Sequence, residues 1–260
     1  MEIFLLYNTV MTPLPATSAN DLIGELNELR SEGYFLQKNS FRWMQIKAKV
    51  QKLLNANPAS GWHVSGIFHA ATGDVAEMER AFQNAIRLDG GINIKRNFFS
   101  SYVSLGFASK ALEMYRMIAS PEMGVFSHTF QGAMTMGAFQ TATENVEKAK
   151  VMGIDLSALP VKIVAESSAL LERLGISDDE VAQHIDAAGA VMRANNQFAM
   201  RVPHVIVNDI DGVSSGVTLV MLVDADAKRI FSYNIELAEM EMEMNVKKNT
   251  AFDVVFSALQ

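Results

Sequence analysis

The chain has 260 residues, 49% of them hydrophobic and 20% charged, so it can bury a sizeable core and is neither disordered nor collagen-like. There is no cysteine, which excludes disulfide scaffolds, thiolate metal sites and cysteine nucleophiles, and no apolar run reaches the roughly 18 residues of a membrane span. The net charge of −7 is concentrated after residue 150, and a globally acidic chain does not draw nucleic acid over long range.

The first segment, MEIFLLYNTVMTP, carries Glu2 and no Lys or Arg, unlike a targeting peptide, and is expected to pack on the body as a short strand or helix. Ser18 with Asp21 has the form of a helix cap ahead of Leu22, Ile23, Leu26 and Leu29, and Gly33 closes that helix. A second helix runs from about Ser40, with Trp43, Ile46, Val50, Leu53 and Leu54 on one face, and Pro58 interrupts it.

From there the sequence repeats at intervals of just over 30 residues, with Gly73, Gly106 and Gly137 as anchors. The first unit sets Trp62, Gly66 and His69 before its glycine and Met78, Phe82, Ala85 and Leu88 after it. Phe99 and Tyr102, then Ala111, Tyr115 and Ile118, form the second. The third has Phe126, Phe130 and Ala133, then Ala142, Val146, Ala149 and Met152. Each unit gives two amphipathic stretches too short to stand alone, so they must stack on neighbours. The aromatic and small residues are read as packing positions, with Trp62 buried against the following hairpin and each glycine a position of positive φ or of close helix approach.

Further on, Val161, Val164, Ala165, Ser168, Leu171 and Leu174 recur at helical spacing up to Gly175. Ser177 and Glu180 make a capping box for a helix through Val181, Ile185, Ala188 and Met192. After about Gln197 the β-branched runs VPHVIVND and GVTLVMLV read as a hairpin, and AFDVVFSA as a third strand. Residues 228–246 fit both periods. The helix formers of IELAEMEMEM favour a helix capped by Asp224 or Asp226, with extra strands as the alternative. The expected fold is α+β: a mainly α-helical hairpin-repeat solenoid over 1–196 and a small α/β or β-rich domain over 197–260.

Motifs for chemistry are missing from the sequence. His63 and His69 are too far apart for a helical metal pair, and His128, His184 and His204 lie in separate elements. NDIDG at 208–212 and DAD at 224–226 lack the ligand spacing of a calcium loop and read as turns and caps. No phosphate-binding glycine loop or nucleophile elbow occurs, so the expectation is a protein without enzymatic activity, cofactor or metal.

Residues 59–155 resemble the tetratricopeptide and pentatricopeptide helical-hairpin families. Trp62, Gly66, Gly73, Phe82 and Ala85, then Tyr102, Gly106, Ala111 and Tyr115, then Gly137, Ala142 and Ala149 match the tetratricopeptide pattern; His69, Met78, Phe99, Phe130 and Gly90 depart from it. The resemblance implies a groove lined by the first helix of each hairpin, at His63, Ile67, Ala70, Arg96, Ser100, Val103, Ser127, Gln131 and Met134. Such a lining suits a peptide or partner helix. It implies a cytoplasmic adaptor or scaffold, with a homo-oligomer or larger complex as further options. Pentatricopeptide resemblance implies instead single-stranded RNA read from Val64, Asn97 and His128, with closing positions near Met123 and Ala158. Only Asn97 and His128 of these are polar.

Overall fold

The computed structural model describes residues 15–118, 121, 125–199, 201–210 and 214–259. The segment 1–14, expected to pack on the body, lies outside them. The fold is mainly α-helical with a small three-stranded sheet near the C-terminus. Its helices are α1 (Pro15–Ser31), α2 (Phe41–Ala56), α3 (Pro58–Ala71), α4 (Val75–Leu88), α5 (Ile92–Ser104), α6 (Ala108–Ile118), α7 (Phe126–Thr135), α8 (Phe139–Val151), α9 (Val161–Arg173) and α10 (Asp178–Ala194). After them come β1 (His204–Ile210), β2 (Ser214–Val223), α11 (Ala227–Glu243) and β3 (Phe252–Ala258).

Local chemistry explains most boundaries. The side chain of Ser40 caps α2 by accepting from the Trp43 backbone N–H, and Asn57 and Pro58 start α3 immediately afterwards, so the proline opens a helix where its missing N–H costs nothing. Ser177 and Glu180 form the expected reciprocal box. The expected cap at Ser18 is displaced. The helix begins at Pro15, which puts Ser18 inside it, with its side chain outside the described residues.

The pairs α3/α4, α5/α6 and α7/α8 are joined by one recurring turn. At Gly106 the backbone takes φ of 67°, its N–H donates to the Val103 carbonyl at 3.0 Å, and the Phe107 N–H donates to the Tyr102 carbonyl at 3.0 Å. This is the Schellman closure, whose left-handed residue is cheap only without a Cβ. The same two bonds recur around Gly73 and Gly137. All three turns are also close contacts, that of Gly73 with the Phe35 ring and the other two with α10. A Cβ on Gly189 of α10 would land on the Gly106 carbonyl, and one on Gly137 would strike Val181 and Ile185 of α10.

Helix α10 therefore runs as a spine beneath the α5/α6 and α7/α8 turns. Its charged residues finish those turns. Asp178 accepts from the Gln140 and Thr141 backbone N–H groups at 3.0 and 2.9 Å and from the Thr141 hydroxyl, capping α8 from another helix. Asp186 accepts from the Ser109 N–H at the start of α6. Arg193 donates to the Leu105 and Gly106 carbonyls at 2.6 and 2.9 Å and lies over the Phe107 ring.

The interior is one continuous apolar cluster from Ala19 to Phe256. Most repeat aromatics fill it, with Phe82, Phe98 and Tyr102 stacked in a column at centroid distances of 4.7 and 4.6 Å. Ala111, Ala142 and Ala149 are fully buried, as expected of close-packed helix faces. Some expected packing residues are not fully in this interior. Trp62 is half-buried at the edge of the core, with the Arg80 guanidinium 5.2 Å from its ring. Ala165 and Leu174 are exposed. Leu88 and Met152 are exposed, because both lie at helix ends beyond the last packed turn.

At the C-terminal end, residues 227–243 form a helix, and Asp226 caps it by accepting from the Arg229 N–H at 2.8 Å. A helix there changes the sheet. β1 pairs with β2 antiparallel, whereas β2 pairs with β3 in parallel, because α11 carries the chain back across the sheet. Val217, Leu219, Met221 and Val223 of β2 and Phe252, Val254 and Phe256 of β3 point into the core. The sheet packs on α9 and α10, and a buried His184–Glu241 contact of 2.7 Å ties α10 to α11. Residues 196–199 run back to the helices: Phe198 donates to the Gly33 carbonyl, Phe35 to that of Asn196, and Ala199 to that of Ser104.

Candidate functional site

On the side away from α10, the first helices of the three pairs, α3, α5 and α7, line two adjoining hollows that meet at His128. Asn97 and His63 bridge α5 to α3 through a 2.8 Å hydrogen bond, and Ser100 and His128 bridge α5 to α7 at 2.9 Å. These contacts follow from the packing. Gly132 lets α7 approach so closely that a Cβ there would meet the Phe99 ring at 2.7 Å.

The larger hollow, of about 680 Å³, is mixed in polarity and is walled by α1 through Asn20 and Ile23, by His63, and by Asp89, Arg96 and Asn97. The smaller, of about 170 Å³, has mostly apolar walls from Phe99, Val103, Ala199 and Val202, with Ser100, His128 and Gln131 at its edge. Arg30, in the last turn of α1, reaches into its base.

Arg30 is the unusual member. One of its terminal nitrogens donates to the Ser100 carbonyl at 3.3 Å and to the Ser104 hydroxyl, while its Nε is sealed from solvent without a partner. Only neutral groups and the Phe198 ring, 6.0 Å away, surround the charge; none of the described carboxylates pairs with it. Burial pushes its pKa down to about 10. Nearby, burial lowers the pKa of His128, and the positive charges of Arg30 and Arg96 lower it further. His63 is also lowered by burial, partly offset by Asp89. Around the two hollows stand the guanidinium groups of Arg30 and Arg96 and the carboxylate of Asp89.

Of the residues expected to line a groove, His63, Arg96, Ser100, Val103 and Gln131 line these hollows, and so do Asn97 and His128. Ser127 is exposed beside them without lining either. Ile67, Ala70 and Met134 do not belong to the surface. They are buried, at 2%, 0% and 4% exposure, because α1 and α2 pack over α3 and cover the face that would otherwise be open, and the last turn of α7 enters the core. Val64, the first base-reading position implied by the pentatricopeptide likeness, is fully buried; Met123 lies outside the described residues and Ala158 is exposed.

Sequence reasoning missed Arg30, Ala199 and Val202. Arg30 sits where a basic residue ordinarily complements a helix C-terminus, and nothing in its spacing says that it turns inward. The two linker residues reach the hollow only through the Ala199–Ser104 hydrogen bond.

The acidic loops serve structure. Asp209 holds Arg173 and the Ser215 hydroxyl, and Asp226 caps α11. Among the described residues no cluster of His, Asp and Glu is placed to hold a metal ion, and no described helix is long and apolar enough to cross a membrane. No protein-family model, curated protein or solved structure matches the chain, so its likeness to helical-hairpin repeats rests on residues 59–155 and their turns.

Proposed function

We propose that the protein is a non-enzymatic adaptor of helical-hairpin repeats that holds a peptide segment of a partner protein in the trough formed by α1, α3, α5 and α7. The carrying observation is the placement of His63, Asn97, Ser100, His128 and Gln131 along one continuous polar surface that crosses three consecutive first helices. Its mixture of uncharged donors, acceptors and apolar patches suits the backbone and side chains of an extended peptide.

Selection from a displayed random-peptide library tests this. Enriched peptides are expected to bind the wild type and to weaken at least about tenfold on an Asn97→Ala, Gln131→Glu double variant, the size of loss given by one or two interfacial hydrogen bonds. Peptides that bind both proteins equally would place recognition elsewhere. Salt-sensitive binding of single-stranded RNA, with no peptide enriched, would replace the adaptor reading by the RNA one.

A further inference from the structure

The smaller hollow combines a buried cation with apolar walls, and that combination specifies a ligand. Among the described residues the Arg30 guanidinium meets only neutral oxygens and a ring, so its desolvation is not repaid by an ion pair. By contrast, Asp178 is matched by three donors, and Arg193 by two carbonyls and by the field of Asp186. The Nε of Arg30, sealed from solvent, has no partner either, which adds to that cost. The hollow it enters is walled by Phe99, Val103 and Val202. From this geometry we propose that the hollow binds a carboxylate attached to a compact apolar group, with the carboxylate paired to Arg30 and the apolar group against Phe99, Val103 and Val202.

An anion there would satisfy the guanidinium in the low-dielectric setting where a charge-assisted hydrogen bond is strongest. Ser100 and His128 line the hollow as further polar contacts. The volume of about 170 Å³ holds a body of about six to eight non-hydrogen atoms. The carboxylate and its apolar group must therefore be only a few bonds apart. Two sources supply this chemistry: a free small carboxylic acid, or the last residue of a peptide. The second rests on the adaptor reading; the first does not.

The test uses 4-methylpentanoate against 4-methylpentanamide, and an acetylated tripeptide ending in leucine as free acid against carboxamide. Thermal unfolding and titration calorimetry are run on the full chain. At an excess over its Kd, an acid that binds raises the Tm by about 2–4 °C, and its amide does not. Arg30→Met is expected to abolish the difference between acid and amide. Gln131→Glu, an exposed position that folds whatever becomes of Arg30, places a competing carboxylate at the edge and is expected to weaken the acid about tenfold. Binding of the free acid alone assigns the hollow to a small molecule, and binding of the peptide acid assigns it to a chain terminus. Acids and amides that behave alike on the wild type, or acid binding unchanged in both variants, overturn the proposal. Peptides that bind the trough regardless of their terminal group overturn it while leaving the adaptor reading intact.

Discussion

Arg193 and Arg30 are attached to the same end of α5, and burial pushes both guanidinium groups down to about 10. On the α10 side, Arg193 meets the Leu105 and Gly106 carbonyls, the Phe107 ring at 3.7 Å and the charge of Asp186. On the trough side, Arg30 has one bonded nitrogen and an unmatched Nε. The first is the solution expected of a charge retained for structure. The second leaves free energy that only a ligand can recover, and this distinction separates the spine from the trough.

The spine should be the more fragile of the two. Gly189→Ala forces a methyl group onto the Gly106 carbonyl, where backbone meets backbone and neither side can yield. A loss of about 3–5 kcal/mol in urea unfolding is expected. The control is Gly24→Ala, an exposed helical glycine of α1 with open space around it, which should be neutral or stabilising by up to about 1 kcal/mol. Equal losses would mean that the α10 contact adds nothing.

Asp178→Ala comes next, because it strands two backbone N–H groups and a hydroxyl at the start of α8. About 2–4 kcal/mol is expected, with Asp178→Asn keeping part of it. A loss confined to a few tenths would show that water reaches this cap. On the far face, Trp62→Ala should cost only about 1–2 kcal/mol, since the ring is half-exposed and held by Arg80. A larger loss would return Trp62 to the core role first expected from the repeat pattern.

Acid should loosen the trough side. Burial lowers the pKa of His63, His69 and His128 below that of a free imidazole, so in the window from about 6.5 downward the unfolded chain binds more protons than the folded one. Their contribution to stability is present above that window and is lost as pH falls through it. The urea midpoint should drop between about pH 7.5 and about pH 5.5, and less so in His128→Gln. A midpoint that holds or rises on acidification would contradict the partial burial of His63 and His69.

Much of the fold was legible because it is set by local signals. The Schellman glycines, the Ser40 and Ser177 caps and the alternation of β2 each act within a few residues of sequence. The helix over 227–243 was balanced against strands by periodicity, and the helix propensity of its residues decided it. Long-range packing was not legible. That Ile67 would be covered by α1, or that Gly189 would touch Gly106, depends on helices brought together from far along the chain. The trough was half legible for the same reason: the resemblance to helical-hairpin families implies Asn97, Ser100 and Gln131, while Arg30 enters from outside the repeated segment.

Unfolding of Arg30→Met beside Arg193→Met, without any ligand, tests the distinction most directly. Removing Arg193 takes donors from two carbonyls and the cation from Asp186, and should cost about 2–4 kcal/mol. Removing Arg30 strands no acceptor, because the Ser104 hydroxyl still bonds the Ser100 and Ser101 carbonyls. The account predicts that Arg30→Met is as stable as the wild type or more stable by up to about 1 kcal/mol. A loss in Arg30→Met equal to that in Arg193→Met would contradict it, and would make Arg30 a structural tie between α1 and α5.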